Sequence, residues 1–386
     1  MADEHGDPTA GATRVMTRRS APWPLGFVGM LGLLLVIEWT LNGHDLDFTA
    51  PWHWDWRTTG TLTSKKQAKA DILLFGDSLM KFGVMPKVLA DRSGRTAYTF
   101  ALHTGQTSSS YFMLRRVLKA GNHPKAIVLD LTTHMFNHLP EYNVRLWPEL
   151  LTPAECFDLG WSMGNLNFGT ATLLARLVPS IKERHDIRVS LVDALAGKPT
   201  SSWRYRIPMF RRNWKKNDGG QLMPDGPSPP IDPVQWERSL YPAWTPSPVN
   251  VAYLNRFLKL AQAADVPVFW LLPPAQPALQ ARTEASGYDA AYTGFVRQVA
   301  GRFPGVTVVD ARHSGFEPSE FNDGVHLTRY GALRLSAALG ALLRGDLSGG
   351  RWVNLDAGLP RSVEFPIEDV NQSAVALQSD QSRVQR

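Results

Sequence analysis

Residues 71–90 read DILLFGDSLMKFGVMPKVLA, and this stretch decides the fold. The apolar run at 72–75 predicts a short buried strand, which stops at Gly76, Asp77 and Ser78 before a helical pattern begins. A strand that passes directly into a helix is the repeating unit of α/β proteins. Because ligands bind beyond the carboxyl ends of such strands, Ser78 is either a helix cap or a nucleophile.

The chain beyond this stretch keeps the same alternation of strands and helices. Further strands are predicted at 97–102, 126–131, 266–272 and 306–310, with helices at 107–120, 249–263, 290–302 and 330–344. This order predicts an α/β fold with a mostly parallel sheet that is covered on both faces. The stretch at about 140–248 breaks the alternation and is rich in turn formers, so we interpret it as an insertion that contains one helix at 170–182.

The N-terminal segment predicts a transmembrane helix. Residues 21–41 contain APWPLGFVGMLGLLLVI, which carries no charge, and the segment approaches the ~20 residues that cross a bilayer. Arg14, Arg18 and Arg19 precede it, which favours a cytoplasmic tail at 1–20 and an extracytoplasmic location for the rest of the chain. A single-pass anchor in the cell membrane is the first interpretation, and a cleaved signal peptide and a buried helix are the alternatives.

The remaining boundaries follow from composition. Residues 42–69, rich in Trp, Thr and His, are interpreted as a linker, residues 70–345 as the α/β domain, and residues 346–386 as a polar tail. The 386 residues are 44% hydrophobic and 20% charged, which is enough apolar content for a sizeable core.

Charge and cysteine content exclude some classes of protein. The net charge is +6, but no zinc-finger, RNA-recognition or basic-zipper pattern is present, so we expect no nucleic-acid partner. Cys156 is the only cysteine, so the chain forms no intrachain disulfide.

A second stretch, FNDGVHLTRYGALRLSAAL at 321–339, bears on the role of Ser78. Asp323 and His326 are three residues apart ahead of a predicted helix, so they face the same side. Asp323 can orient the His326 imidazole, whose other nitrogen can take a proton from Ser78. An Asp–His pair alone is usually a surface pair, but together with the Ser78 strand end it favours nucleophilic catalysis.

Three motifs resemble those of the SGNH/GDSL serine hydrolases: FGDSL at 75–79, HTGQTS at 103–108 and DGVHLTRYG at 323–331. The resemblance implies a three-layer, flavodoxin-like sandwich. It implies that Ser78 is the nucleophile, that Asp323 and His326 complete a catalytic triad, and that the N–H of Gly105 contributes to the oxyanion hole.

The sequence departs from the family at the third block. The family has Gly-x-Asn-Asp after its third strand, whereas this chain reads LTTHMFN at 131–137, which puts His134 at the asparagine position. An imidazole N–H can donate to an oxyanion, so His134 is the first candidate there and Asn137 the second. The alternative is a hole made by the N–H groups of Ser78 and Gly105.

No metal or cofactor is expected. His134 and His138 are four residues apart, with His103 and His123 nearby, but no carboxylate or cysteine completes a ligand set.

The resemblance implies an esterase or O-acyltransferase. Membrane-anchored relatives, similar to polysaccharide O-acetylation and D-alanyl transfer proteins, act on cell-surface polymers, so the expected substrate is a carbohydrate-linked ester. The acyl acceptor is water or a polysaccharide hydroxyl, and a membrane acyl-donor protein is a candidate partner. The alternatives are a lipid or small-ester hydrolase, and a catalytically silent, anchored glycan-binding protein that uses the Trp- and Arg-rich insertion.

Overall fold

The computed structural model describes residues 25–41, 50–65, 69–198, 206–224, 244–356, 365 and 367–384. The predicted cytoplasmic tail at 1–20 lies outside them. The chain divides into two units, Met1–His44 and Asp45–Arg386. The described part of the first unit is one helix, α1 (Leu25–Leu41), whose side chains are almost all exposed. None of the described helices is both long enough and apolar enough to cross a membrane.

The second unit is built on one parallel sheet. Its six described strands are β1 (Ile72–Phe75), β2 (Ala97–Thr99), β3 (Ala126–Asp130), β4 (Val268–Leu272), β5 (Val306–Asp310) and β6 (Trp352–Asn354). Their order is β2-β1-β3-β4-β5-β6, and every neighbouring pair is parallel. The predicted α/β class with a parallel sheet is confirmed. The order reverses direction between β1 and β3, and such a switch point is where open sheets bind ligands.

Helices connect the strands and extend the fold. They are α2 (Pro51–Leu62), α3 (Ser78–Gly83), α4 (Pro86–Ser93), α5 (Thr107–Lys119), α6 (Thr133–Asn137), α7 (Trp147–Leu150), α8 (Pro153–Ser162), α9 (Leu166–Leu177), α10 (Pro179–Leu195), α11 (Arg206–Lys216), α12 (Pro248–Ala263), α13 (Pro277–Ala285), α14 (Tyr288–Arg302), α15 (Arg329–Arg344) and α16 (Val370–Val384). Short 3₁₀ turns lie at Pro140–Asn143 and Pro318–Glu320.

Both faces of the sheet are buried because strands β1 to β5 are mostly apolar. Alternate side chains point to opposite faces, so Leu73 and Phe75 join the core cluster that includes α5 and α12. Ile72 and Leu74 join the other cluster, which includes α4 and α15. This layering fixes the end of β1 between the two cores.

The predicted linker is wrong over much of its length. Residues Pro51–Leu62 form α2, in which Trp54, Asp55 and Trp56 are buried. Pro51 at the first helical position is preorganised for a helix, and the tryptophans bury large apolar area once the helix forms. In this segment, Trp54 and Trp56 therefore serve core packing.

Two further predictions need correction. The polar tail at 346–386 contributes β6 to the sheet edge and forms α16, where Glu368 nearby accepts hydrogen bonds from Arg212 of α11 at 2.8 and 3.0 Å. The single helix predicted at 170–182 is two helices, α9 and α10. Pro179 has no N–H to continue α9 and instead begins α10.

Candidate active site

The turn after β1 shows which residue caps the helix that begins at Ser78. Asp77 is the N-cap of α3, and its Oδ1 accepts the N–H of Leu79 at 2.9 Å. Gly76 has φ of 151°, and a Cβ there would lie 2.6 Å from the Asp130 carbonyl oxygen. Only glycine fits this close approach between β1 and β3. The Ser78 hydroxyl is therefore not needed as a cap.

Ser78, His326 and Asp323 form one continuous chain of hydrogen bonds. The Ser78 Oγ lies 2.9 Å from Nε2 of His326, and Nδ1 of His326 lies 2.7 Å from Oδ2 of Asp323. The predicted geometry of these three residues is found in the structure, although they are separated by up to 248 positions along the chain.

The loop between the second 3₁₀ turn and α15 holds Asp323 and His326 in register. Oδ1 of Asp323 accepts the N–H groups of Val325 at 2.8 Å and His326 at 2.7 Å, and the Asn322 N–H donates to the His326 carbonyl at 2.7 Å. Burial alone would raise the pKa of Asp323, but hydrogen bonds and the charge of His326 outweigh it and lower that pKa. Asp323 is thus an ionised partner for an imidazolium.

Aromatic residues line the histidine side of the site, and sequence reasoning missed their role. The Phe82 ring lies edge-on to His326, with centroids 5.7 Å apart. His103 stacks on Trp52 of α2, with centroids 4.0 Å apart. Desolvation first, and then the charges of His326 and Lys81, lower the pKa of His103 to about 4, so its ring is neutral near pH 7. The only sequence signal was the density of Trp and His at 52–56.

The helix that begins at Ser78 rests on a buried ion pair. Lys81 of α3 and Asp55 of α2 are each 1% exposed at the side chain, and their Nζ and Oδ1 atoms lie 2.7 Å apart. The ammonium also donates to the carbonyls of Ala101 at 3.1 Å and Gly219 at 3.3 Å, so all three of its protons have acceptors. The pair ties α2 and the insertion to the helix that begins with Ser78.

The residues predicted for the oxyanion hole do not converge in the same way. The Gly105 N–H donates to the Leu102 carbonyl at 3.0 Å, and Nδ2 of Asn137 donates to the Tyr288 hydroxyl at 3.1 Å. Nε2 of His134 lies 3.2 Å from Nε2 of His138. Among the described residues, no hydrogen bond joins any of these three groups to Ser78 or His326.

His134 is a neutral, exposed side chain. Desolvation first, and then the neighbouring His138, lower the pKa of its imidazole. A neutral imidazole retains one N–H donor, so the role of His134 as an oxyanion donor stays a prediction.

Backbone groups at the start of α3 leave one donor for an oxyanion. The N–H of Leu79 is bound by Asp77 Oδ1, and the N–H of Lys81 by the Asp77 carbonyl at 3.0 Å. The N–H of Ser78 has no acceptor among the described residues.

One group of side chains within the described residues has metal-ligand character. The ligand atoms of His53, Glu149 and Glu183 lie within 4.8 Å of one another. However, the Lys182 ammonium contacts both carboxylates, and Arg57 lies 3.8 Å from Glu149. These two cations already balance the two negative charges, so the group is better explained as a buried ion-pair cluster.

No protein-family model matches the chain, and a search of curated proteins finds no significant match. The function is therefore inferred from the geometry of the site.

Proposed function

We propose that this protein is a serine ester hydrolase or O-acyltransferase of the SGNH/GDSL type that acts through a covalent acyl-serine. The observation that carries the proposal is the hydrogen-bond chain from Ser78 through His326 to Asp323. A hydroxyl, an imidazole and a carboxylate in this order are the parts of a general-base-activated nucleophile.

In the first half of the reaction, Ser78 Oγ attacks the ester carbonyl and its proton passes to Nε2 of His326. Asp323, which is ionised, stabilises the imidazolium through Nδ1. The tetrahedral oxyanion collapses, the ester C–O bond breaks, and His326 returns the proton to the departing alkoxide. Ser78 is left as an acyl ester.

In the second half, His326 removes a proton from water or from a sugar hydroxyl, which attacks the acyl-serine. Collapse of the second intermediate returns the proton to Ser78 and releases an acid or a new ester. The Ser78 N–H is the first oxyanion donor, and Gly105 or His134 supplies another after its loop shifts. Such adjustment is compatible with catalytic hydrogen bonds that tighten only in the substrate complex.

The finer fold assignment is part of the same proposal. A three-layer flavodoxin-like SGNH sandwich is supported by the strand order, by helices on both faces, and by the position of Ser78 at the switch point.

We further propose that the N-terminal segment at 21–41 anchors the chain in the cell membrane, with the catalytic domain extracytoplasmic. The support is the apolar sequence of α1, in which Glu38 is the only charged residue, and the arginines that precede it. The expected substrate is then an acetylated cell-surface or exported polysaccharide, and a membrane acyl-donor protein is the expected partner of an acyltransferase.

A lipid-ester hydrolase is the second candidate, because α8–α10 present large apolar side chains to solvent. Trp161 is 75% exposed, Leu177 60% and Leu195 84%. Exposed apolar patches of this kind commonly mark contact with lipid or protein.

Turnover of a chromogenic acetyl ester by the full chain tests the proposal, with Ser78→Ala as the matched variant. We expect turnover by the wild type and loss of about 10⁴-fold or more in the variant. Equal rates would contradict the serine mechanism and favour a silent glycan-binding protein. Incubation of an acetyl donor with candidate glycans, followed by mass analysis of the sugars, separates transfer from hydrolysis.

A further inference from the structure

A buried carboxyl group that the proposed mechanism does not use lies directly beneath the Ser78 turn. Asp130 is the last residue of β3, and none of its surface is exposed. A Cβ placed on Gly76 would lie 3.1 Å from the Asp130 Cβ. Asp130 is therefore in contact with the backbone that connects β1 to the nucleophile.

The surroundings of Asp130 do not support a negative charge. Within the described residues, neither of its carboxyl oxygens has a hydrogen-bond partner of regular geometry, and no cation forms an ion pair with it. Only the Met80 N–H, in the first turn of α3, favours the ionised form. An isolated carboxylate in such a site is strongly unfavourable, so the group takes up a proton instead.

The neighbouring titratable groups point the same way. Asp77, from the β1–α3 turn, repels a second negative charge. Tyr292, from α14, is also buried beside Asp130, but its hydroxyl donates to the Leu131 carbonyl at 2.6 Å. Two groups that act on these neighbours are engaged elsewhere: His326, which acts on Asp77, bonds Asp323, and Arg312, which acts on Tyr292, bonds Asp310 and Asp289.

Asp77 offers the acceptor that a protonated Asp130 needs. Its Oδ1 accepts the Leu79 N–H at 2.9 Å, and its Oδ2 accepts the Thr132 hydroxyl at 2.6 Å. Each carboxylate oxygen has two lone pairs, so Asp77 has capacity for a further donor. Two adjacent buried carboxyl groups share one proton rather than carry two charges.

We propose that Asp130 is a positioning residue that holds a proton at neutral pH and donates it in a hydrogen bond to Asp77, so that the carboxyl pair fixes the turn carrying Ser78. The role of Asp130 in catalysis rests on the proposed serine mechanism. The protonation of Asp130 does not depend on that mechanism.

A proton held by Asp130 in the folded state makes the stability of the protein depend on pH. Burial first, and then the charge of Asp77, raise the pKa of Asp130 well above its ordinary value. An acid whose pKa is higher in the folded than in the unfolded state stabilises the folded state. This contribution is complete at pH values below the pKa of the unfolded state. That contribution is lost as the pH rises from the unfolded to the folded value. Asp130→Asn, which has the same shape and a permanent N–H donor, lacks this dependence.

The test compares thermal melting of the full chain between pH 5 and pH 9. We expect the melting temperature of Asp130→Asn minus that of the wild type to increase by about 2 °C per pH unit until the folded pKa is passed. The exposed Asp265→Asn controls for the loss of one carboxylate. A difference that stays flat across this range would overturn the proposal.

Kinetics test the positioning role. Asp130→Asn should keep ester turnover within about threefold, whereas Asp130→Leu, which lacks a donor, should lose about tenfold or more in kcat. Equal losses in both variants would contradict positioning through a hydrogen bond. If Asp130→Leu does not fold, the melting comparison and Asp130→Asn kinetics still decide.

Failure of this inference and failure of the proposed function give different results. If the wild type turns over no ester, the serine mechanism fails, and the melting difference still reports the proton on Asp130. If the enzyme is active but the melting difference is flat, only the Asp130 inference fails.

Discussion

Ser78, His326 and Asp323 are joined by two hydrogen bonds, whereas Gly105, His134 and Asn137, predicted for the oxyanion hole, each bond elsewhere. The first region draws on one strand end and one loop, in which the Asp–His spacing fixes the relative position of two side chains. The second region draws on the turn before α5 and on α6, whose donors find nearby acceptors. The groups proposed for acid–base chemistry are therefore placed by the fold, while the groups proposed as further oxyanion donors would reach the site only after a loop shift.

The largest effect is expected from a substitution that breaks the hydrogen-bond chain of Ser78, His326 and Asp323. His326→Ala removes the only base that, among the described residues, is hydrogen-bonded to Ser78, so kcat for ester turnover should fall by about 10⁴-fold or more. Steady-state kinetics of the full chain measures this, with His123→Ala, an exposed histidine, as the matched control. A loss of less than about tenfold in His326→Ala would mean that another group is the base.

The next effect is expected on stability, at the buried ion pair between Lys81 and Asp55 that supports α3. Lys81→Met leaves the Asp55 carboxylate buried without its cation, so the free energy of unfolding should fall by about 3–5 kcal/mol. Denaturant unfolding measures the change, and Lys259→Met, on the exposed face of α12, should stay within about 0.5 kcal/mol. An unchanged free energy of unfolding in Lys81→Met would show that the ion pair between α2 and α3 does not stabilise the fold.

Gly105→Ala disturbs the contact between the two regions. The new Cβ would lie 2.3 Å from the Gly76 carbonyl oxygen, so the turn before Ser78 must shift. Because small misplacements of a nucleophile are costly, kcat should fall by about 10²-fold. Gly294→Ala, where the Cβ meets nothing within 4 Å, is the matched control and should keep full activity. Full activity of Gly105→Ala would remove the loop from the site.

Thr132→Val should have an intermediate effect. It deletes the hydroxyl that donates to Asp77 at 2.6 Å and leaves a buried acceptor short of one bond, which costs about 1–3 kcal/mol of stability. Thr132→Ser keeps the hydroxyl and should restore most of the loss. Identical melting temperatures for the Val and Ser variants would contradict this role.

The smallest effect is expected at His134. Its observed partner is His138, so His134→Ala should lower kcat by less than about threefold. A drop of about 10²–10³-fold would instead identify it as an oxyanion donor that reaches the intermediate after loop movement. Asn137→Ala, measured in parallel, tests the second candidate.

The sequence could predict what depends on local spacing. The apolar run of β1 places Ser78 at a strand end, and the spacing of Asp323 and His326 puts both side chains on one side of a loop. The sequence could not predict that Lys81 pairs with Asp55. The composition of the segment that carries Asp55 is typical of a polar linker, and only the structure shows that two of its tryptophans are buried. Nor could the sequence predict that the Gly105 N–H bonds Leu102, because that depends on turn geometry.

The most direct measurement is the site of covalent modification by a fluorophosphonate probe, read by peptide mass. The serine mechanism predicts an adduct on Ser78 in the wild type, none in Ser78→Ala, and labelling slowed by at least about 10²-fold in His326→Ala. An adduct on a different residue, or labelling of Ser78 at the same rate without His326, would contradict it.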